Sequence, residues 1–149
     1  MGHTVIVLNG SPHEKGCTAR ALEEVIKTLN AEGIGTELVN IGKNSVSGCI
    51  ACGFCEKNGR CVFNDKVNEV AGKFKDADGL LIGSPVYYSS PNGTILSFLD
   101  RLFYSASYPL RMKVGAAVVS CRRGGNTATF DVLNKYFTIS SMPIVSSTY

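Results

Sequence analysis

The chain reads as an α/β protein built on a doubly wound parallel sheet, and three observations carry that reading. Val5–Leu8, Gly79–Ser84 and Val114–Ser120 are short, largely apolar runs without polar alternation, as expected of strands covered on both faces. Segments with apolar residues at helical spacing separate them, which calls for right-handed crossovers with helices on both sides of the sheet. Each run also ends in a loop rich in Gly, Ser, Pro or Asn, the place where such sheets bind ligands.

The elements follow in order. Val5–Leu8 leads through Asn9-Gly10-Ser11-Pro12-His13-Glu14-Lys15-Gly16-Cys17-Thr18 into a helix over 18–32. Ala21, Leu22, Val25, Ile26 and Leu29 form its apolar face, and Gly33 stops it. Thr18 is expected to cap this helix, leaving the first-turn N–H groups aimed back into the loop. Thr36–Ile41 is a second strand, and 42–64 is a long Gly-, Ser-, Asn- and Cys-rich loop without periodicity. A short helix over Val67–Phe74 precedes the third strand, Gly79–Ser84, which ends in Pro85-Val86-Tyr87-Tyr88. The helix over 94–104, on which Asp100 and Arg101 lie, has a broad apolar face, wider than one sheet face needs, which suggests a dimer contact; a homodimer or homotetramer is expected. Val114–Ser120 is the fourth strand, followed by Cys121-Arg122-Arg123-Gly124-Gly125 and a helix over 127–137 with Phe130, Leu133, Tyr136 and Phe137 inward. Pro143–Ser146 begins a fifth strand. The expected sheet order is 2-1-3-4-5, in one domain covering residues 1–149 with its cysteine-rich loop at about 42–64.

Composition narrows the function classes. Hydrophobic residues make up 44% and charged residues 18% of the 149, ordinary for a globular domain with a real core. A net charge of +3, scattered rather than striped, argues against nucleic acid but tolerates an anionic ligand. No apolar run approaches a membrane span, and the Met-Gly-His start lacks a leader's apolar stretch, so a cytoplasmic protein is expected. Six cysteines are then thiols or ligands rather than disulfide staples.

The first loop suits a phosphate. A helix N-terminus favours an anion without any cation, and Ser11 and Thr18 add hydroxyl donors. It is not the nucleotide P-loop, because five residues separate Gly10 from Gly16 and Cys17 stands where that motif requires Lys. In the 2-1-3-4-5 order the tips after Gly10, Ser84 and Ser120 lie side by side. The second offers Tyr87 and Tyr88 as a wall, and the third, with Gly124 and Gly125, lets backbone N–H groups approach a ligand. A phosphate, a flat ring system and a polar edge together describe flavin mononucleotide (FMN).

These residues resemble the NAD(P)H-dependent FMN reductase and iron–sulfur flavoprotein family, within the flavodoxin-like superfamily. The match is carried by Asn9–Thr18, by Cys49-x2-Cys52-x2-Cys55-x5-Cys61, by Gly83–Tyr88, by Phe98-Leu99-Asp100-Arg101 and by Ser120–Gly125. The resemblance implies a flavodoxin-like fold, with the FMN phosphate on Ser11, Cys17 and Thr18. It places the isoalloxazine against Pro85, Val86, Tyr87 and Tyr88, its far edge meeting Arg122, Arg123, Gly124 and Gly125. Relatives often carry Arg where this chain has His13, which is therefore a weaker candidate for touching phosphate. Relatives also continue past the fifth strand into a last helix, which is expected to lie outside these 149 residues.

Cys49, Cys52, Cys55 and Cys61 are the candidate metal ligands. The first three match ferredoxin spacing and the fourth could complete a [4Fe–4S] set, as the resemblance implies. Zinc suits the spacing less well, because structural zinc sites draw on two separated knuckles. Reduced thiols are the other reading. With His3 and His13 the only histidines, no Ser-His-Asp constellation exists, and no carboxylate pair is placed for acid–base work. The cofactor then supplies the chemistry and the protein supplies binding. The expected activity is hydride transfer from NAD(P)H to FMN and onward to a quinone, a nitro or azo compound, free flavin or the cluster. The alternative is a flavodoxin-like electron carrier or redox sensor that uses the cysteine loop.

Overall fold

The computed structural model describes residues 2–146. Its elements are β1 (Thr4–Asn9), α1 (Cys17–Ala31), β2 (Gly35–Asn40), α2 (Phe54–Asn58), α3 (Lys66–Asp76), β3 (Gly79–Tyr87), β4 (Ser90–Pro91), α4 (Gly93–Ser105), β5 (Val114–Ser120) and α5 (Asn126–Ile139). Strands β2, β1, β3 and β5 lie side by side and parallel, with Asn9 opposite both Asn40 and Gly83, and Pro85 opposite Ser120. The expected fifth strand is a single parallel bridge from Ile144 to Gly115, made by hydrogen bonds Gly115 N–H to Pro143 O and Val145 N–H to Gly115 O. The 2-1-3-4-5 order therefore holds, with a shorter last member than the sequence implied. β4 is a two-residue return that pairs antiparallel with the outer end of β3.

Side-chain alternation splits the sheet into two faces. Ile6, Leu8, Leu80, Ile82, Ala117 and Val119 point to the side of α3, α4 and α5, where Phe74, Phe98 and Phe137 are fully buried. Burying each of these rings is worth roughly 1.5–3 kcal/mol. Val5, Val7, Leu81, Ala116 and Val118 point to the side of α1, where Leu22 is the deepest helical residue. Close packing there needs small residues. A Cβ on Gly83 would lie 2.6 Å from Leu22, and one on Gly115, on the other face, 2.5 Å from Phe137.

Some local expectations change. Helix α1 starts on Gly16, which carries no side-chain cap, so Thr18 is not the cap but sits inside the first turn. The 42–64 segment is not wholly irregular, since α2 forms between Gly53 and Gly59, both in the left-handed region. Phe130 is exposed rather than inward, because α5 turns only Thr129, Leu133 and Phe137 fully into the core. Arg101 is buried and faces inward. Among the described residues no helix is long and apolar enough to cross a membrane.

Candidate active site at the strand tips

The carboxyl ends of β1, β3 and β5 place three loops together. Gly10 N–H donates to Gly83 O at 2.8 Å, and a Cβ on Gly10 would lie 2.9 Å from both Gly83 O and Ile95, so the first loop rests on β3 and α4. The Thr18 and Ser120 hydroxyls share a hydrogen bond of 2.6 Å, joining the first turn of α1 to the end of β5. Gly125, at φ +84°, packs so closely on the β3–β4 hairpin that a Cβ would lie 2.7 Å from Ser89 Oγ. The three tips are thus in mutual contact through neutral groups.

The first loop is shaped for an anion. Ser11 is buried; its N–H donates to Asn9 Oδ1 at 3.0 Å, and its Oγ accepts His13 N–H at 3.1 Å. With the oxygen so engaged, the Ser11 O–H remains free to donate outward. The N-terminus of α1 beside it has neither a side-chain cap nor an acidic residue in its first turn, so its N–H groups face the loop without competition. Pro12, His13, Glu14, Lys15, Gly16 and Lys43 line an open depression of about 450 Å³ on the outer side of the loop, where Lys43 pairs with Glu14 at 3.5 Å. These residues fit a phosphate.

The second tip is a tight hairpin. Val86 pairs with Pro91 and Tyr87 with Ser90, and Tyr88 (φ +49°) and Ser89 (φ +57°) form its two-residue turn. Both central residues lie in the left-handed region, the type I′ geometry that Asn or Gly fills most easily. Tyr88 is wholly exposed and Tyr87 is 45% exposed, while Pro85 and Val86 are half-buried beneath them. Below, Ser84 Oγ accepts Asn92 N–H at 3.0 Å, and Asn92 in turn caps α4 through Thr94 N–H at 2.7 Å. The third tip leaves Arg122, Arg123 and Gly124 exposed, and a Cβ on Gly124 would meet nothing within 4 Å.

Ser11, Thr18, Pro85–Tyr88 and Gly125 therefore belong to one surface. Cys17 is exposed at the first position of α1, on the same loop as His13, which is also exposed. Sequence reasoning missed four members of the surroundings. Asn9 and Ser120 stand in the quoted motifs, and an Asn two residues before a buried Ser is a recognisable side-chain turn signal. Asn40 and Gly42 gave no local sign of contact, because their neighbours lie on β1 and its loop.

The cysteine segment is built differently. Its anchor is Arg101 of α4, whose side chain is fully buried and forms a fork with Asp65 at 2.8 Å through both terminal nitrogens. Arg101 Nε–H also donates to Cys61 Sγ at 3.2 Å, Nη1 to Ser47 O at 3.3 Å, and the guanidinium lies 4.8 Å from the Phe63 ring centre. Burial alone would disfavour the charge; the hydrogen bonds to Asp65 and Cys61 outweigh it and raise the guanidinium pKa. Asp65 additionally caps α3 through Val67 N–H at 3.1 Å. Cys49 and Cys52 are exposed, Cys55 lies half-buried on α2 and Cys61 is half-buried beside Arg101. Among the described residues no three Cys, His, Asp or Glu side chains gather at one point. Four thiols have the right chemistry for an iron–sulfur cluster, but in this arrangement they do not fit one.

The parallel sheet order and the helices on both faces define a flavodoxin-like α/β fold. The NADPH-dependent FMN reductase family matches residues 3–149, and the chain belongs to it. An iron–sulfur flavoprotein of Methanocaldococcus jannaschii is 35% identical over 144 residues, covering 95% of this chain and 75% of that protein. The structure superposes on an NAD(P)H:quinone oxidoreductase from Methanothermobacter marburgensis with a TM-score of 0.74 at 14% identity, covering 98% of this chain and 83% of the other. It also superposes on an archaeal flavodoxin with a TM-score of 0.67 at 14% identity, covering 97% and 79%.

Proposed function

We propose that this chain binds FMN at the tips of β1, β3 and β5, takes reducing equivalents from NADH or NADPH and delivers them to a small-molecule acceptor such as a quinone, a nitro or azo compound or free flavin. The observation that carries the reading is the Thr18–Ser120 contact of 2.6 Å, which closes an uncapped helix end against the third tip. When bound, FMN supplies the chemistry by accepting a hydride and releasing electrons. The protein's contributions are binding and electrostatics. Ser11 and Thr18 hydroxyls and the α1 N–H groups would hold the phosphate, with Cys17 and His13 at the margin. Pro85, Val86, Tyr87 and Tyr88 would wall the ring. Backbone N–H groups near Gly124 and Gly125 would steady negative charge at the ring's polar edge, and Arg122 and Arg123 would face the donor's phosphates.

The test is anaerobic titration with FMN followed by NAD(P)H oxidation with and without an added quinone. Turnover that rises with quinone supports the enzyme. Slow reduction by nicotinamides with fast exchange to a partner protein would instead support the electron-carrier alternative. A [4Fe–4S] role for Cys49, Cys52, Cys55 and Cys61 is supported by spacing and by the naming of similar proteins, and it requires the thiols to gather more closely than they do in this arrangement. Iron and sulfide assay of anaerobically prepared protein tests it directly. A cytoplasmic homodimer or homotetramer completes the proposal. The oligomer is supported by the largely apolar groove of about 520 Å³ that Phe103, Tyr104, Val132 and Ile139 line between α4 and α5, with Asp100 and Lys135 beside them.

A further inference from the structure

We infer that Asn40 and Gly42, at the tip of β2, are positioning residues for the phosphate loop, so that the site rests on a fourth strand tip; the inference rests on the FMN reading above. Asn9 is 1% exposed, and its amide is used at both ends. Oδ1 accepts Ser11 N–H at 3.0 Å, and Nδ2 donates to Asn40 Oδ1 at 3.0 Å. A planar amide held from one side by Asn40 can present its oxygen in only one direction, and that direction sets the Ser11 backbone. Ser11 in turn sets His13 through its hydroxyl, leaving the Ser11 proton as the outward donor.

A second set of contacts acts on the same loop. Ile41 N–H and Gly42 N–H both donate to Asn9 O, at 2.8 and 3.3 Å, which lays the start of the cysteine segment across the first loop. A Cβ on Gly42 would lie 2.1 Å from the Ser11 carbonyl carbon and 2.5 Å from Pro12 N. Those are backbone atoms, so no side chain can swing away to make room. Gly42 is required here for close approach and not for an unusual φ. Ser11 is therefore held at its N–H by the Asn9 amide and crowded at its carbonyl by the Gly42 backbone. Both residues contact the first loop at Asn9, Ser11 and Pro12, so their influence is expected at the phosphate end.

The experiment compares FMN with riboflavin, which lacks the phosphate, by flavin fluorescence quenching on apoprotein in about 0.5 M salt, where exposed charges are largely screened. The variants are Asn40→Leu, Asn40→Asp and Gly42→Ala, each checked by circular dichroism and thermal melting. Asn40→Leu and Gly42→Ala are expected to weaken FMN about tenfold or more, the scale of one lost ordering hydrogen bond, and to leave riboflavin within about threefold. Asn40→Asp keeps the acceptor for Asn9 Nδ2 and is expected to bind FMN like the parent. Equal loss of both flavins in Asn40→Leu, or unchanged FMN affinity in a folded Asn40→Leu, overturns the inference while the FMN reading stands. Failure of the parent protein to bind FMN overturns that reading and the inference with it.

Discussion

The strand tips and the cysteine segment lie on one chain but are held by opposite means. At the tips, contacts between loops are neutral: Gly10 on Gly83, Thr18 on Ser120, Gly125 on Ser89. In the cysteine segment the fixed point is a buried charge, Arg101 forked to Asp65 and reaching Cys61, Ser47 and Phe63. The parallel ladder explains the difference. It already places the tips side by side, so weak polar contacts complete the site. A segment that leaves the sheet between β2 and α3 has no such frame and needs an anchor strong enough to offset its own chain entropy. The anchor holds the base of the segment, and among the described residues no three of its thiols gather at one point.

The sharpest way to break this contrast is to remove the charge. Arg101→Leu removes the fork to Asp65 and the bonds to Cys61 and Ser47, and is expected to cost about 2–3 kcal/mol, the upper range for hydrogen bonds to a charged group, read from denaturant unfolding. FMN affinity of the folded fraction should change little, because the tips do not use this pair. Loss of FMN binding in a folded Arg101→Leu protein would show that the two regions are one unit. Next in size, Thr18→Val removes the hydroxyl shared with Ser120 and should weaken FMN by about 1–3 kcal/mol, the range for a hydrogen bond to a charged group. Unchanged affinity would remove Thr18 from the phosphate site.

A smaller effect is expected at the hairpin. Tyr88→Gly relieves a positive φ on a wholly exposed residue and should alter stability by no more than about 1 kcal/mol, in the stabilising direction. Its effect should appear instead in turnover with bulky acceptors, if the ring walls the site. The smallest change concerns alkaline pH. Burial pushes the Tyr108 phenol up to about 12 from an ordinary 10.0, with the Asp76 charge adding to it. Its folded pKa lies above the unfolded one, so its contribution is fully present below pH 10 and is lost as pH rises through about 12. Burial and the bond to Asp100 raise Tyr136 in the same direction. Tyrosinate absorbance followed with thermal melting across this window should show stability falling as the phenols ionise; a flat melting temperature would contradict it.

Sequence reasoning located the tips because their markers are local. Apolar runs ending at Asn9-Gly10, Ser84-Pro85 and Ser120-Cys121 announce strand ends, and a parallel order then places them together. It misjudged Thr18 as a cap because a hydroxyl at a helix start reads the same whether it bonds the backbone below or Ser120 across the site. It placed Arg101 on the broad apolar helix but could not see its role, because the carboxylate that pairs with it lies 36 positions away on another element.

What the residues alone determined is the alternation of strand and helix, the chemistry of each loop and the spacing of the four thiols. What only the tertiary structure decided is which groups meet: Gly42 against Ser11–Pro12, Asn40 with Asn9, and Arg101 with Cys61. The physical reason is range. Backbone preferences and hydrophobic period act over a few neighbouring residues, whereas a hydrogen bond between residues 31 or 40 positions apart exists only once packing has brought its ends together.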